Sequence, residues 1–151
     1  MSKTIDYETD LYAWALHHAE LLRQGRLAEL DVEHLIEELE SMGKNNQREL
    51  VSRLKILLAH LLKWQYQPTH RGRSWQRSID EQRIQIKDLL IANPSLTSQL
   101  VAAITNAYPD AVKLAMKETK IPQTHFPQKC SYSIEQLFDE EFYPSNSAAR
   151  V

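Results

Sequence analysis

Arg53 and His60, seven positions apart in an apolar run from Leu50 to Tyr66, are the residues whose types and spacing best suit chemistry. On a helix that separation is two turns, so both side chains rise on one face with Leu57 between them and Trp64 just beyond. An imidazole can move a proton and a guanidinium can stabilise developing negative charge, the pairing that acid–base chemistry on an anionic substrate needs. The competing assignment is a satisfied core histidine beside an arginine paired with Glu37 or Glu40, because buried charges are normally paired. A second constellation, His18, His34, Glu37, Glu38 and His60, has the ligand types of a metal site between helices. Its single His34-x-x-Glu37 pair reverses the order used in di-iron proteins, and His34 sits on the side of its helix away from the core centre, so no metal and no cofactor is expected. A third set mixes cations with stackable rings, as a surface for single-stranded nucleic acid does: Lys63, His70, Arg71, Arg73, Arg77 and Arg83, with Trp64, Tyr66 and Trp75. Trp64 and Trp75 fall on helical core stripes, which favours rings in the core and arginines clamped on acidic neighbours.

The elements that must position these groups are helices. Between about Thr9 and Gln24, Leu11, Trp14, Ala15, His18 and Leu22 follow the spacing of one buried face, and Gly25 ends the helix. Asp31 caps the next, with Leu30 and Leu35 placed as a hydrophobic staple. Its buried face is expected to be Val32, Leu35, Ile36, Leu39 and Met42, with Glu33, Glu37 and Glu40 on one flank and Gly43 closing it. A third helix, about Asn45 to Gln67, is apolar nearly all round after Leu50 and therefore central. Pro68 stops it. Ser74 caps a fourth helix, about Trp75 to Ala92, burying Trp75, Ile79, Gln82, Ile86 and Leu89, with Gln82 the polar intruder. Asn93-Pro94 opens a fifth, which Pro109 should kink or break before it continues to about Lys120. Ser133-x-x-Gln136 is a capping box for a short last helix.

Composition agrees with that reading. The chain of 151 residues holds 42% hydrophobic and 25% charged residues, the balance of a globular domain, and its 3 Gly leave long stretches in which nothing stops a helix. The expectation is an all-α, single-domain helical bundle of about five main helices plus a short C-terminal helix, over residues 1–144, with a frayed tail at 145–151. A lone cysteine, Cys130, excludes an internal disulfide and fits a reducing compartment. With no secretory signal and no apolar window of membrane-spanning length, the expected address is the cytoplasm. The net charge of -2 conceals a lopsided distribution: residues 1–43 sum to -7, residues 44–90 to +6 and residues 91–151 to -1. Such patterning suggests mutual neutralisation, or else a basic face left open for an anionic partner.

Two resemblances bear on function. The Arg53-x6-His60 spacing is similar to the Arg-x4–6-His element of HEPN ribonucleases, and that resemblance implies metal-independent RNA cleavage, with His60 handling a proton and Arg53 the phosphate charge. The polar residue that often follows the arginine in that family is here Leu54. More of the chain is involved in the second. The strings Asp10-Leu11-Tyr12-Ala13-Trp14-Ala15, Leu35-Ile36-Glu37-Glu38-Leu39-Glu40, His60 through Pro68, and Arg73-Ser74-Trp75 with Gln82-Arg83 resemble domain-of-unknown-function family 29, abundant in cyanobacteria, over about Tyr7 to Tyr143. This resemblance implies a helical bacterial protein and transfers no catalytic residue. It focuses attention on Glu37, His60, Lys63, Trp64, Arg73, Trp75 and Arg83, which with Gln82 are expected to form a buried polar network. The leading expectation is a non-enzymatic interaction or regulatory module, with a protein partner or a second copy of itself. A HEPN-like ribonuclease acting on RNA through Arg53 and His60 is the alternative.

Overall fold

The computed structural model describes residues 5–145, so most of the expected tail at 145–151 lies outside the described residues. Among the described residues the chain is all-α: α1 (Leu11–Arg23), α2 (Val32–Tyr66), α3 (Arg73–Ala92), α4 (Leu100–Thr119) and a short α5 (Ile134–Phe138), joined by turns and brief 3-10 segments. None of these helices is long and apolar enough to cross a membrane. The chain divides into two compact units, Met1–Asn45 and Asn46–Val151, and the division falls inside α2.

The expected stop at Gly43 does not occur, and two expected helices are one helix of 35 residues. A helical glycine costs about 1 kcal/mol relative to alanine, which is too little to break a helix without proline or a left-handed turn beside it. Gly25, by contrast, adopts φ +70° and ends α1 as expected.

In the first unit, Asp10 caps α1 by accepting from the Ala13 N–H, and the Asp31 carboxylate accepts from the His34 N–H at the start of α2. Trp14, His18 and Leu21 are the buried line of α1, whereas Leu11 and Leu22 of the expected stripe are exposed. The Trp14 ring stacks on His18, and the buried line continues to Leu21 where Leu22 was expected.

The core of the second unit is built on Leu50, Leu54, Leu57, Leu58, Leu61 and Leu62 of α2, with Ile79, Ile86 and Leu89 of α3. From α4 come Ala103, Ala107, Ala111 and Ala115, a buried row of small side chains four residues apart that lets larger neighbours approach closely. Pro109 lies inside α4 without ending it. Gly72 rather than Ser74 precedes α3. Asn93 serves the end of α3, its side-chain amide donating to the Leu89 carbonyl, and Pro94 opens a 3-10 segment before α4 begins. The capping box at Ser133 and Gln136 is complete in both directions.

Candidate functional site

In the second unit the residues singled out by sequence separate into three groups. Lys63 is buried on α2 and forms an ion pair with Glu118 of α4, and its ammonium lies 4.7 Å from the centroid of the Trp75 ring. His60, one turn earlier, donates from Nδ1 to the Ile56 carbonyl at 2.8 Å, which leaves the Nε2 lone pair as its remaining polar capacity. Burial lowers the His60 pKa below the ordinary value, more than the Ile56 carbonyl and Glu118 raise it.

Arg53 is committed elsewhere. Its Nε donates to Glu49 of the same helix at 3.0 Å, and another guanidinium nitrogen reaches the Gln82 side-chain oxygen at 3.4 Å. The carboxylate that holds it is therefore Glu49, one turn back, and not Glu37 or Glu40. Gln82, the polar intruder of α3, is half-buried, and this contact engages its side-chain oxygen.

Arg83 forms the third group and is 1% exposed, the most buried charged side chain described. It donates to the carbonyls of Leu137 at 2.8 Å, Gln136 at 3.1 Å and Phe142 at 2.8 Å, and its guanidinium lies 5.6 Å from the Tyr143 ring centroid. The Gln136 and Leu137 carbonyls are ones that a helix as short as α5 leaves open at its end, and Phe142 lies in the segment beyond it. Arg83 was legible as a conspicuous residue, but not as the tie between α3 and the C-terminal segment. Tyr143 in turn donates to Asp80 at 2.7 Å and packs on Trp64 at 4.8 Å between centroids. The Tyr143 pKa is pushed up to about 12 by burial and by that bond to a carboxylate. Arg71 lies over Trp64 and donates to the Trp64 carbonyl at 2.7 Å. Lys63, Arg71 and Arg83 thus spend their charge inside the fold, while Arg73 and Arg77 are exposed on α3. An open, mostly apolar groove of about 600 Å³ lies between α4 and the segment after Pro127, lined by Ile104, Tyr108, Pro109, Cys130 and Tyr132. Burial raises the pKa of the Cys130 thiol there, which favours the protonated form.

In the first unit the polar residues form a compact cluster. His18 donates from Nδ1 to the Trp14 carbonyl, and its Nε2 accepts from the Asp31 N–H at 3.0 Å, so both ring nitrogens are used. His34 bonds the Asp31 carboxylate at 2.5 Å and stacks on Tyr7 at 4.0 Å between centroids. Tyr7 donates to Glu38 at 2.5 Å, a bond that pushes its pKa up to about 12. Glu37, expected within a network shared with Lys63 and Arg83, is exposed on α2 in the first unit. Among the described residues no group of three or more His, Cys, Asp or Glu side chains is arranged to hold a metal ion.

This cluster turns α2 away from its expected orientation. The half-buried line is Asp31, His34, Leu35, Glu38 and Ser41, held by the bonds to Tyr7 and within the Asp31–His34 pair. Of the expected buried face only Leu35 is partly covered. Val32 (56%), Ile36 (50%), Leu39 (66%) and Met42 (62%) are exposed, with Glu33, Glu37 and Glu40 exposed beside them. Leu11, Tyr12, Leu16, Leu22 and Leu27 are exposed in the same unit. The expected place of this apolar row was the core, because periodicity reveals an apolar face without saying what covers it.

The family described as Domain of unknown function DUF29 matches residues 7–143, nearly the whole chain. No curated protein matches, and no solved structure does.

Proposed function

The chain belongs to the DUF29 family, and we propose that it acts as a non-enzymatic interaction module whose contact surface is the apolar row of the first unit. The observation that carries this reading is the exposure of Val32, Ile36, Leu39 and Met42 along one line of α2. Scattered exposed leucines need no explanation, but a row at helical spacing is the form in which helices present anchors to partners. The Arg53 and His60 pair gives no comparable support to RNA cleavage. The Arg53 guanidinium is held by Glu49 and Gln82, and nothing in that arrangement frees it for a phosphate. Lys63, Trp64, Trp75, Gln82 and Arg83 belong to the scaffold in this reading, since their charges and rings are spent on neighbouring side chains and carbonyls. A cytoplasmic setting belongs to the same proposal, supported by the single half-buried thiol, and a bacterial one is carried by the family resemblance.

The test is affinity capture of the full chain from its own cells, read by mass spectrometry, with two variants in parallel. A partner should be recovered with wild type and with Arg53→Ala/His60→Ala, and lost with Ile36→Asn/Leu39→Asn. Capture that ignores the α2 substitutions, or RNA cleavage by the purified chain that disappears in a folded His60→Ala protein, would overturn the module reading.

A further inference from the structure

Resting on that reading, we infer that the occupant of the apolar row is a basic amphipathic helix of another protein. Within the first unit, Arg23 is paired with Glu20, Arg26 with Glu29, Asp31 with His34, and Glu38 is bound by Tyr7. Glu33, Glu37 and Glu40 are left with no ion pair or hydrogen bond among the described residues, and all three are exposed. Their spacing matches that of Val32, Ile36 and Leu39, one position along, so an acidic row runs parallel to the apolar one. From Val32 to Met42 the paired rows extend roughly 15 Å at the helical rise, which suits a partner helix of about three turns.

That juxtaposition selects the partner. An apolar seam with carboxylates along one flank is complemented by a helix with leucine-type anchors and Lys or Arg on the facing flank, where charge complementarity fixes register and speeds encounter. A second copy pairing antiparallel through the same face would bring two identical acidic rows together, and like charges across an interface are penalised. An anionic lipid surface would be repelled by the same carboxylates.

The experiment uses the full chain and two fluorescein-labelled peptide helices of about 14 residues, a length set by the three-turn span. They share one leucine pattern, and one carries Lys and the other Glu at the remaining positions. Anisotropy titration is expected to show the Leu/Lys peptide bound at least about tenfold more tightly than the Leu/Glu peptide, a preference that shrinks in about 0.5 M salt as screening sets in. The folded Glu33→Lys/Glu37→Lys/Glu40→Lys protein should prefer the Leu/Glu peptide. Equal binding of the two peptides by wild type, or an unchanged preference in the triple variant, overturns the charge assignment. If that equal binding is still lost in Ile36→Asn/Leu39→Asn, the contact surface survives while its proposed occupant does not. Binding unaffected by Ile36→Asn/Leu39→Asn removes the contact surface as well. A wild-type dimer by light scattering that becomes monomeric in Ile36→Asn, or binding to phosphatidylglycerol vesicles that this change abolishes, assigns the row to a second copy or to a lipid surface and overturns the inference.

Discussion

The hydrogen bond between His34 and Asp31 raises the pKa of the ring above its ordinary 6.5 and lowers that of the carboxylate below 3.8. Folding therefore tightens the proton on His34, a stabilisation complete below about 6.5 and lost as pH climbs through the folded value. The Asp31 contribution is present above 3.8 and lost as pH falls through its own folded value, so the pair serves stability best in the mildly acidic range between. His60 has the opposite sign, because burial makes the folded chain refuse a proton that the unfolded chain accepts below 6.5. In an NMR titration of the imidazole signals, assigned with His34→Gln and His60→Gln, His34 should titrate above 6.5 and His60 below it. The reverse order would mean that the Asp31 bond or the burial of His60 is absent in solution. Arg83 makes a different demand, since its three carbonyl partners lose their donor if the guanidinium goes. Arg83→Leu should destabilise by about 3 kcal/mol in urea unfolding, and Arg83→Lys by about 2 kcal/mol, because an ammonium cannot reproduce the fork. A loss below about 0.5 kcal/mol for Arg83→Leu would be the size of an ordinary surface change and would show that the tie is not formed.

Helix boundaries test how locally the chain is specified. Gly43 is helical, and a Cβ added there would meet nothing within 4 Å, so Gly43→Ala should stabilise by about 0.5–1 kcal/mol through the unfolded chain. Gly25→Ala should destabilise, since φ +70° strains any side chain. Opposite signs in thermal melts would confirm that one glycine ends a helix and the other is passed through. If both variants were stabilised or both destabilised, this division would fail. Features decided within one or two turns were legible in sequence: the Gly25 stop, the Asp31 cap, the Ser133–Gln136 box and the leucine-rich centre of α2. What escaped it depended on partners distant in the chain. Nothing near Arg83 announces that its acceptors lie beyond residue 135, and nothing in the spacing of Val32, Ile36, Leu39 and Met42 says that Tyr7 would hold the polar side of α2 inward. The carboxylate partner of Arg53 differs from the expected Glu37 or Glu40 for a simpler reason, since the acid that holds it, Glu49, is on its own helix one turn back.

At the scale of the whole chain, a net charge of -2 is the residue of an acidic first unit and a basic middle segment, and the large exposed apolar side chains concentrate in the first unit. A surface of that kind marks a place that something other than the chain's own core can cover. Whether the α2 row is surface or core can be decided on the isolated protein. Leu39 is 66% exposed and Leu61 is 0% exposed, although both are leucines of the same helix. If the row is surface, Leu39→Gln should change unfolding stability by no more than about 0.5 kcal/mol, while Leu61→Ala should cost about 2–5 kcal/mol through lost burial and the cavity left behind. The same contrast should hold in amide hydrogen exchange, where only the Leu61 substitution accelerates exchange across the second unit. A cost above about 1.5 kcal/mol for Leu39→Gln would show that the chain already covers the row by itself, and the contact surface would then have to be sought elsewhere on the molecule.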